Sequence, residues 1–145
     1  MCRPAAAIGA CLLSYLCAAQ AAALCLSGKP ALADEFARSA FVIHARVVKA
    51  TVQSAPDDPA GAGATRYSLR VVEAFKGKPA RTFAFDSENT SSRIPLREGR
   101  RYLLFVQGPV EQGFVDACGN SGSIRSRQQA IGALRAWAGR GATLR

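Results

Sequence analysis

Two periodicities run along this chain. Between residues 41 and 117 the apolar positions follow a strand rhythm. "FVIHARVVKATVQ" (41–53) is rich in β-branched residues and long enough for a curved strand. "TRYSLRVVEAF" (65–75) places Tyr67, Leu69 and Val71 on one face and Arg66, Ser68 and Arg70 on the other, the alternation of a half-buried strand. "RTFAFDS" (81–87) puts Phe83 and Phe85 on one face, and "RYLLFVQ" (101–107) is apolar on both, which predicts a central strand. "FVDA" (114–117) predicts a short fifth strand, ended by "CGNSG". The connections are polar or rich in Gly and Pro: "SAPDDPAGAGA" (54–64), the "KGKPA" turn, and "ENTSSRIPLREGR" (88–100) with one apolar pair, Ile94 and Leu96.

A helical rhythm flanks these strands. "ALADEFARSA" (31–40) spaces Leu32 and Phe36 by four, with Asp34 and Glu35 early and Arg38 late, charges matched to a helix dipole. "SRQQAIGALRAWAGR" (126–140) carries Ile131, Leu134 and Trp137 on one stripe, with Ser126 and Gln129 in a capping-box arrangement. The predicted fold is mainly β: five antiparallel strands with a short helix before and a helix after. Five short strands need protected edges, and closure into a small OB-like barrel supplies them.

The front of the chain changes the picture. After Arg3 no charge appears until Lys29, and "AIGACLLSYLCAAQAAA" is apolar and rich in small residues. This is the layout of a signal peptide over residues 1–23, cleaved after Ala21 or Ala23, with one domain over 24–145. Lipidation is disfavoured, because Leu16 and Leu24 precede Cys17 and Cys25. Cleavage removes Cys2, Cys11 and Cys17 and leaves an even pair, Cys25 and Cys118. In an oxidising exported compartment such a pair is expected to form a disulfide. The mature chain keeps eighteen basic against ten acidic residues, or +8, which favours anionic partners. Its basic residues are spread out, and only "RR" (100–101) and "RSR" (125–127) are close together.

Candidate chemistry is sparse. His44 is the only histidine, so a cysteine enzyme would pair Cys118 with His44, oriented by Asn120 or Asp86. His44 lies inside a strand and Cys25 competes for Cys118, so this reading is secondary. "GNSG" superficially matches a serine nucleophile turn, but Gly119, Asn120 and Ser121 are better read as a structural turn that ends a strand. Two cysteines and one histidine do not match zinc spacing, and no Gly-rich phosphate loop joins a strand to a helix. Neither a metal nor a cofactor is expected. A single-strand nucleic-acid face could use Tyr67, Phe83, Phe85 and Tyr102 with Arg66, Arg70 and Arg81. Alternation places those rings in the core instead, and export removes the chain from most nucleic acid.

Cys25 behind the signal, a helix, "FVIHARVV", "YSLRVVEAFKGK", "GRRYLLFV" and "VDACGNSG" follow one another in an order that resembles the netrin-like domains related to tissue inhibitors of metalloproteinases, found in short exported bacterial proteins. The likeness covers roughly residues 25–123. It implies an OB-type barrel whose N-terminal segment is tied down by a Cys25–Cys118 bond. The sequence departs from the fuller pattern: residue 27 is Ser, so there is no Cys-x-Cys, and no cysteine stands near "TSSR" (90–93). The resemblance also implies an inhibitor alternative, in which the free amine of a first-residue cysteine chelates a protease zinc. Cleavage ahead of Cys25 would block that amine. The expected product is an exported, non-enzymatic binding protein. Its partner would be a protein or an anionic envelope component, with no stable membrane span after cleavage. Loops 54–64 and 88–99 are where recognition is expected.

Overall fold

The computed structural model describes residues 25, 28–54, 62–88, 90, 92–108 and 113–142; the expected signal peptide lies outside these residues. Helix α1 spans Leu32–Arg38, followed by β1 (Phe41–Ser54), β2 (Ala62–Lys76), β3 (Thr82–Glu88), β4 (Arg101–Val106) and β5 (Gly122–Ser123). A 3-10 turn over Ile124–Arg127 leads into α2 (Gln128–Ala142). The strands form one antiparallel sheet in the order β3-β2-β1-β4-β5. The mainly β architecture with a helix at each end matches the sequence reading.

The sheet separates two apolar clusters, and the pleat explains which residues go where. Ile43, Ala45, Val47, Leu69, Phe85 and Leu104 belong to one cluster, into which Ile94 and Leu96 of the long connection are packed. Val42, Leu103 and Phe105 belong to the other, against Ile131 and Leu134 of α2 and Leu32 and Phe36 of α1. β4 is therefore buried on both faces, as its unbroken apolar run predicts. β1 is buried over its first half and exposed from Val48 onward, apart from the half-buried Ala50. Register shifts interrupt its ladder with β2 at four points, and such irregularities bend long strands.

Two expectations need adjustment. Among the described residues the sheet is not closed, so the barrel is not confirmed: closure would need β3 to pair with β5, and the sheet order leaves these two at opposite edges. The edges are handled by other means, a β5 of only two residues and a β3 with Thr82, Asp86 and Glu88 exposed. The fifth strand is also displaced. Phe114 and Asp116 make only isolated bridges, to Gln107 and Arg93, because this segment divides its pairing between two neighbours. The paired strand comes later, at 122–123.

The "KG" turn after β2 has a clear physical role. Gly77 takes φ +77°, and a Cβ there would fall 2.7 Å from the Ala40 carbonyl oxygen. Its neighbour Lys76 donates from Nζ to the carbonyls of Phe36 and Ala37 at 2.7 and 2.8 Å. A cation thus caps the negative end of α1 while lying over the Phe36 ring.

Candidate functional site

The segment "VDACGNSG" is the junction of the molecule. Cys118 is disulfide-bonded to Cys25, with Cα atoms 5.6 Å apart. Asp116 starts the turn, its Oδ1 accepting from the Cys118 N–H at 2.8 Å. Gly119 is needed because a Cβ there would overlap Glu35 Oε1. Asn120 donates its backbone N–H and its side-chain Nδ2 to Glu35 Oε2, at 2.6 and 2.7 Å, and Nδ2 also donates to the Pro30 carbonyl. Ser121 Oγ accepts from the Phe105 N–H at 2.9 Å. Arg127 donates from Nε to the carbonyls of Asn120 and Ser121, and from Nη2 to Ser121. The turn therefore binds the N-terminal segment, α1, β4 and the start of the C-terminal helix to one another.

Glu35 is the residue that the sequence reading missed in its role. It is only 1% exposed, a carboxylate removed from water inside a seven-residue helix. Burying it is expensive unless hydrogen bonds compensate; Asn120 supplies two, both to Oε2, while Oε1 is buried without a hydrogen-bond partner among the described residues. A signal was present: Glu35 follows Leu32 by three and adjoins Phe36, so it lies on the helix side that faces the protein. Burial and the nearby Arg127 hold the Lys29 pKa below its ordinary value, with Glu35 opposing them.

His44 and Cys118 have separate environments. Cys118 presents no thiol, since its sulfur is bonded to that of Cys25. His44 sits in β1 opposite Glu73 of β2 and Leu103 of β4, 7% exposed, with Nε2 buried and without a hydrogen-bond partner. Burial pushes its pKa below 6.5, Arg101 and Arg135 add to the effect, and Glu73 opposes it. Arg135 meets Glu73 through two parallel hydrogen bonds of 3.0 and 2.7 Å, which hold the Glu73 pKa down.

A pH dependence follows from these directions. The folded protein keeps His44 neutral where the unfolded chain begins to protonate it. The stabilising contribution is complete above about pH 6.5 and declines as pH falls below that value. Lowering the pH from 7.5 to 5.0 is expected to reduce the urea midpoint, and His44→Leu should remove most of that reduction. A midpoint that falls equally in the variant would assign the effect to other groups.

The aromatic platform considered for single-stranded nucleic acid is in the core. Tyr67, Phe83, Phe85 and Tyr102 are each at most 8% exposed. The two tyrosine hydroxyls are engaged, accepting from the Leu96 and Arg97 N–H groups, and Arg66 is paired with Asp86.

The charge that is available lies elsewhere. The pairing of Tyr102 with Ser123 brings β4 beside the start of the C-terminal helix. It brings Arg125 of the second basic cluster beside Arg100 and Arg101 of the first in one open cleft of about 570 Å³. Arg97, Arg100, Arg101 and Arg125 line it with Tyr102 and Ser123, and no acidic residue is in the lining. Loop 88–99 thus contributes Arg97 and Gly99 to a site, while most of loop 54–64 lies outside the described residues. Among the described residues no group of three or more potential metal ligands comes together, and no helix is long and apolar enough to cross a membrane.

No family model matches this chain, and no curated protein is significantly similar to it.

Proposed function

We propose that the chain is an exported, disulfide-clamped binding protein of the netrin-like kind, acting on an anionic component of the cell envelope and carrying out no chemistry of its own. The observation that carries this reading is the arginine-lined cleft. It concentrates positive charge on a surface formed by a loop, a strand and a helix start, where a rigid sheet holds recognition groups in place. The order of sequence motifs from Cys25 to Ser123 supports the netrin-like assignment, and the Cys25–Cys118 bond suits an oxidising compartment.

The test is co-sedimentation of the oxidised mature protein with envelope fragments across a salt series. Binding is expected at 50 mM salt and to weaken at least tenfold by about 300 mM, because exposed charges are screened over that range. No binding at low salt, or binding indifferent to salt, would reject an anionic partner.

A further inference from the structure

We propose that the cleft between the 97–101 segment and the start of the C-terminal helix is a binding site for a phosphate-bearing ligand, with Arg97, Arg100, Arg101 and Arg125 as its guanidinium donors. The inference rests on the anionic-partner reading above and narrows it to one site and one chemistry.

Three observations converge on it. The first is uncompensated charge. Among the described residues none of these four guanidiniums makes an ion pair or a side-chain hydrogen bond, whereas Arg66 and Arg135 are paired with carboxylates and Arg127 is tied to carbonyls. The second is placement. Ser123 caps the 3-10 turn that leads into the C-terminal helix, and Ser123, Ile124 and Arg125 at that start line the same cleft. The position where a carboxylate would be favourable has no acidic residue in its first turn and carries Arg125 instead. Like charges gathered along one cleft favour an anionic ligand there. The third is stoichiometry of charge. A single carboxylate would offset one guanidinium of four. A phosphoryl group near −2, with three terminal oxygens, can accept from two or three planar guanidinium forks at once.

The cleft is also larger than a phosphate needs, within the range of small-molecule sites. Tyr102 and Ile124 give it some apolar lining for the rest of a ligand. The phosphate can therefore come from a soluble polyphosphate or from a headgroup at a lipid surface, and both present the same chemistry.

The oxidised mature protein would be titrated by calorimetry with inorganic pyrophosphate, and with succinate at matched ionic strength. It would also be co-sedimented with phosphatidylglycerol vesicles, phosphatidylcholine vesicles serving as control. Pyrophosphate is expected to bind at least tenfold tighter than succinate. Arg101→Gln and Arg125→Gln should each weaken it roughly tenfold, the range of one charge-assisted contact, and the double variant more. Arg66→Gln and Arg135→Gln make the same charge change outside the cleft and should stay within about twofold. Equal urea midpoints would show that the cleft variants are folded. The chain's single histidine adds a readout, since Arg101 lies within electrostatic range of His44. The His44 ring resonances should shift with pyrophosphate in the wild type and not in Arg101→Gln.

Binding to pyrophosphate alone would identify a soluble source. Binding also to phosphatidylglycerol vesicles, lost in the cleft variants, would identify a headgroup. If all four arginine variants weaken binding equally, or succinate competes as well as pyrophosphate, the phosphate site is wrong although an anionic partner stands. If neither pyrophosphate, vesicles nor envelope fragments bind, both fall.

Discussion

Cys118→Ser is expected to lower the unfolding free energy by about 4–5 kcal/mol, the chain-entropy value for a bond between residues 93 apart. Against the 5–15 kcal/mol of an ordinary domain, this is a large fraction. The consequence is specific to where the bond lies. Without it the Asn120 Nδ2 contact with the Pro30 carbonyl is one link that still joins the late turn to the residues ahead of α1. Cys25→Ser and the double variant should match Cys118→Ser, since all three remove one crosslink. Reducing the wild type should bring its urea midpoint down to theirs. A wild type whose midpoint is indifferent to reductant would show that the crosslink contributes nothing to stability.

Glu35→Ala is the second large effect, about 3 kcal/mol. It removes the acceptor for two charge-assisted hydrogen bonds and leaves the buried Asn120 N–H without that partner. Glu35→Gln keeps an acceptor oxygen for Asn120 and should recover about half of the loss. The pairing can be isolated by a cycle with Asn120→Ala. Coupling of at least 1 kcal/mol is expected for two side chains that share a network, and strict additivity would mean that Glu35 and Asn120 act independently. The effect should appear in urea unfolding without altering pyrophosphate binding in the variants that stay folded, because Glu35 does not line the arginine cleft.

What could be read from the sequence, and what could not, divides by the range of the interaction. The four long strands are written in local periodicity. Tyr67, Leu69, Phe83 and Phe85 alternate because one side of the pleat is packed, and β4 is continuous because both sides are. The pairing of Cys25 with Cys118 was legible from a count of two in the domain left by the expected signal cleavage. The helix start was misplaced: Ser126 looks like a cap, yet Ser123 caps a 3-10 turn that begins three residues earlier, its Oγ accepting from the Ser126 N–H. The fifth strand was misplaced because "FVDA" has strand residues, whereas its hydrogen bonds depend on which neighbours reach it.

The site was the least legible part. Arg100, Arg101 and Arg125 look like solvated charge in sequence, because nothing local says that residue 102 pairs with residue 123. Register across 21 positions made the cleft. Glu35 likewise looks like a helix-dipole charge until Asn120, 85 residues away, is folded against it. In both places a charged side chain acquires its meaning from a long-range contact, which propensity and pattern do not encode.

The most direct test of the central claim, that the late cysteine turn is a crosslinked clamp, is intact mass and peptide mapping of the protein recovered after expression of the full sequence, alkylated with and without prior reduction. The account predicts an N-terminus upstream of Cys25, no alkylation before reduction, and one linked pair of peptides containing Cys25 and Cys118. A freely alkylated Cys118 would contradict the clamp and reopen a cysteine enzyme. A chain beginning at Cys25 would keep the clamp but favour zinc-chelating inhibition over envelope binding.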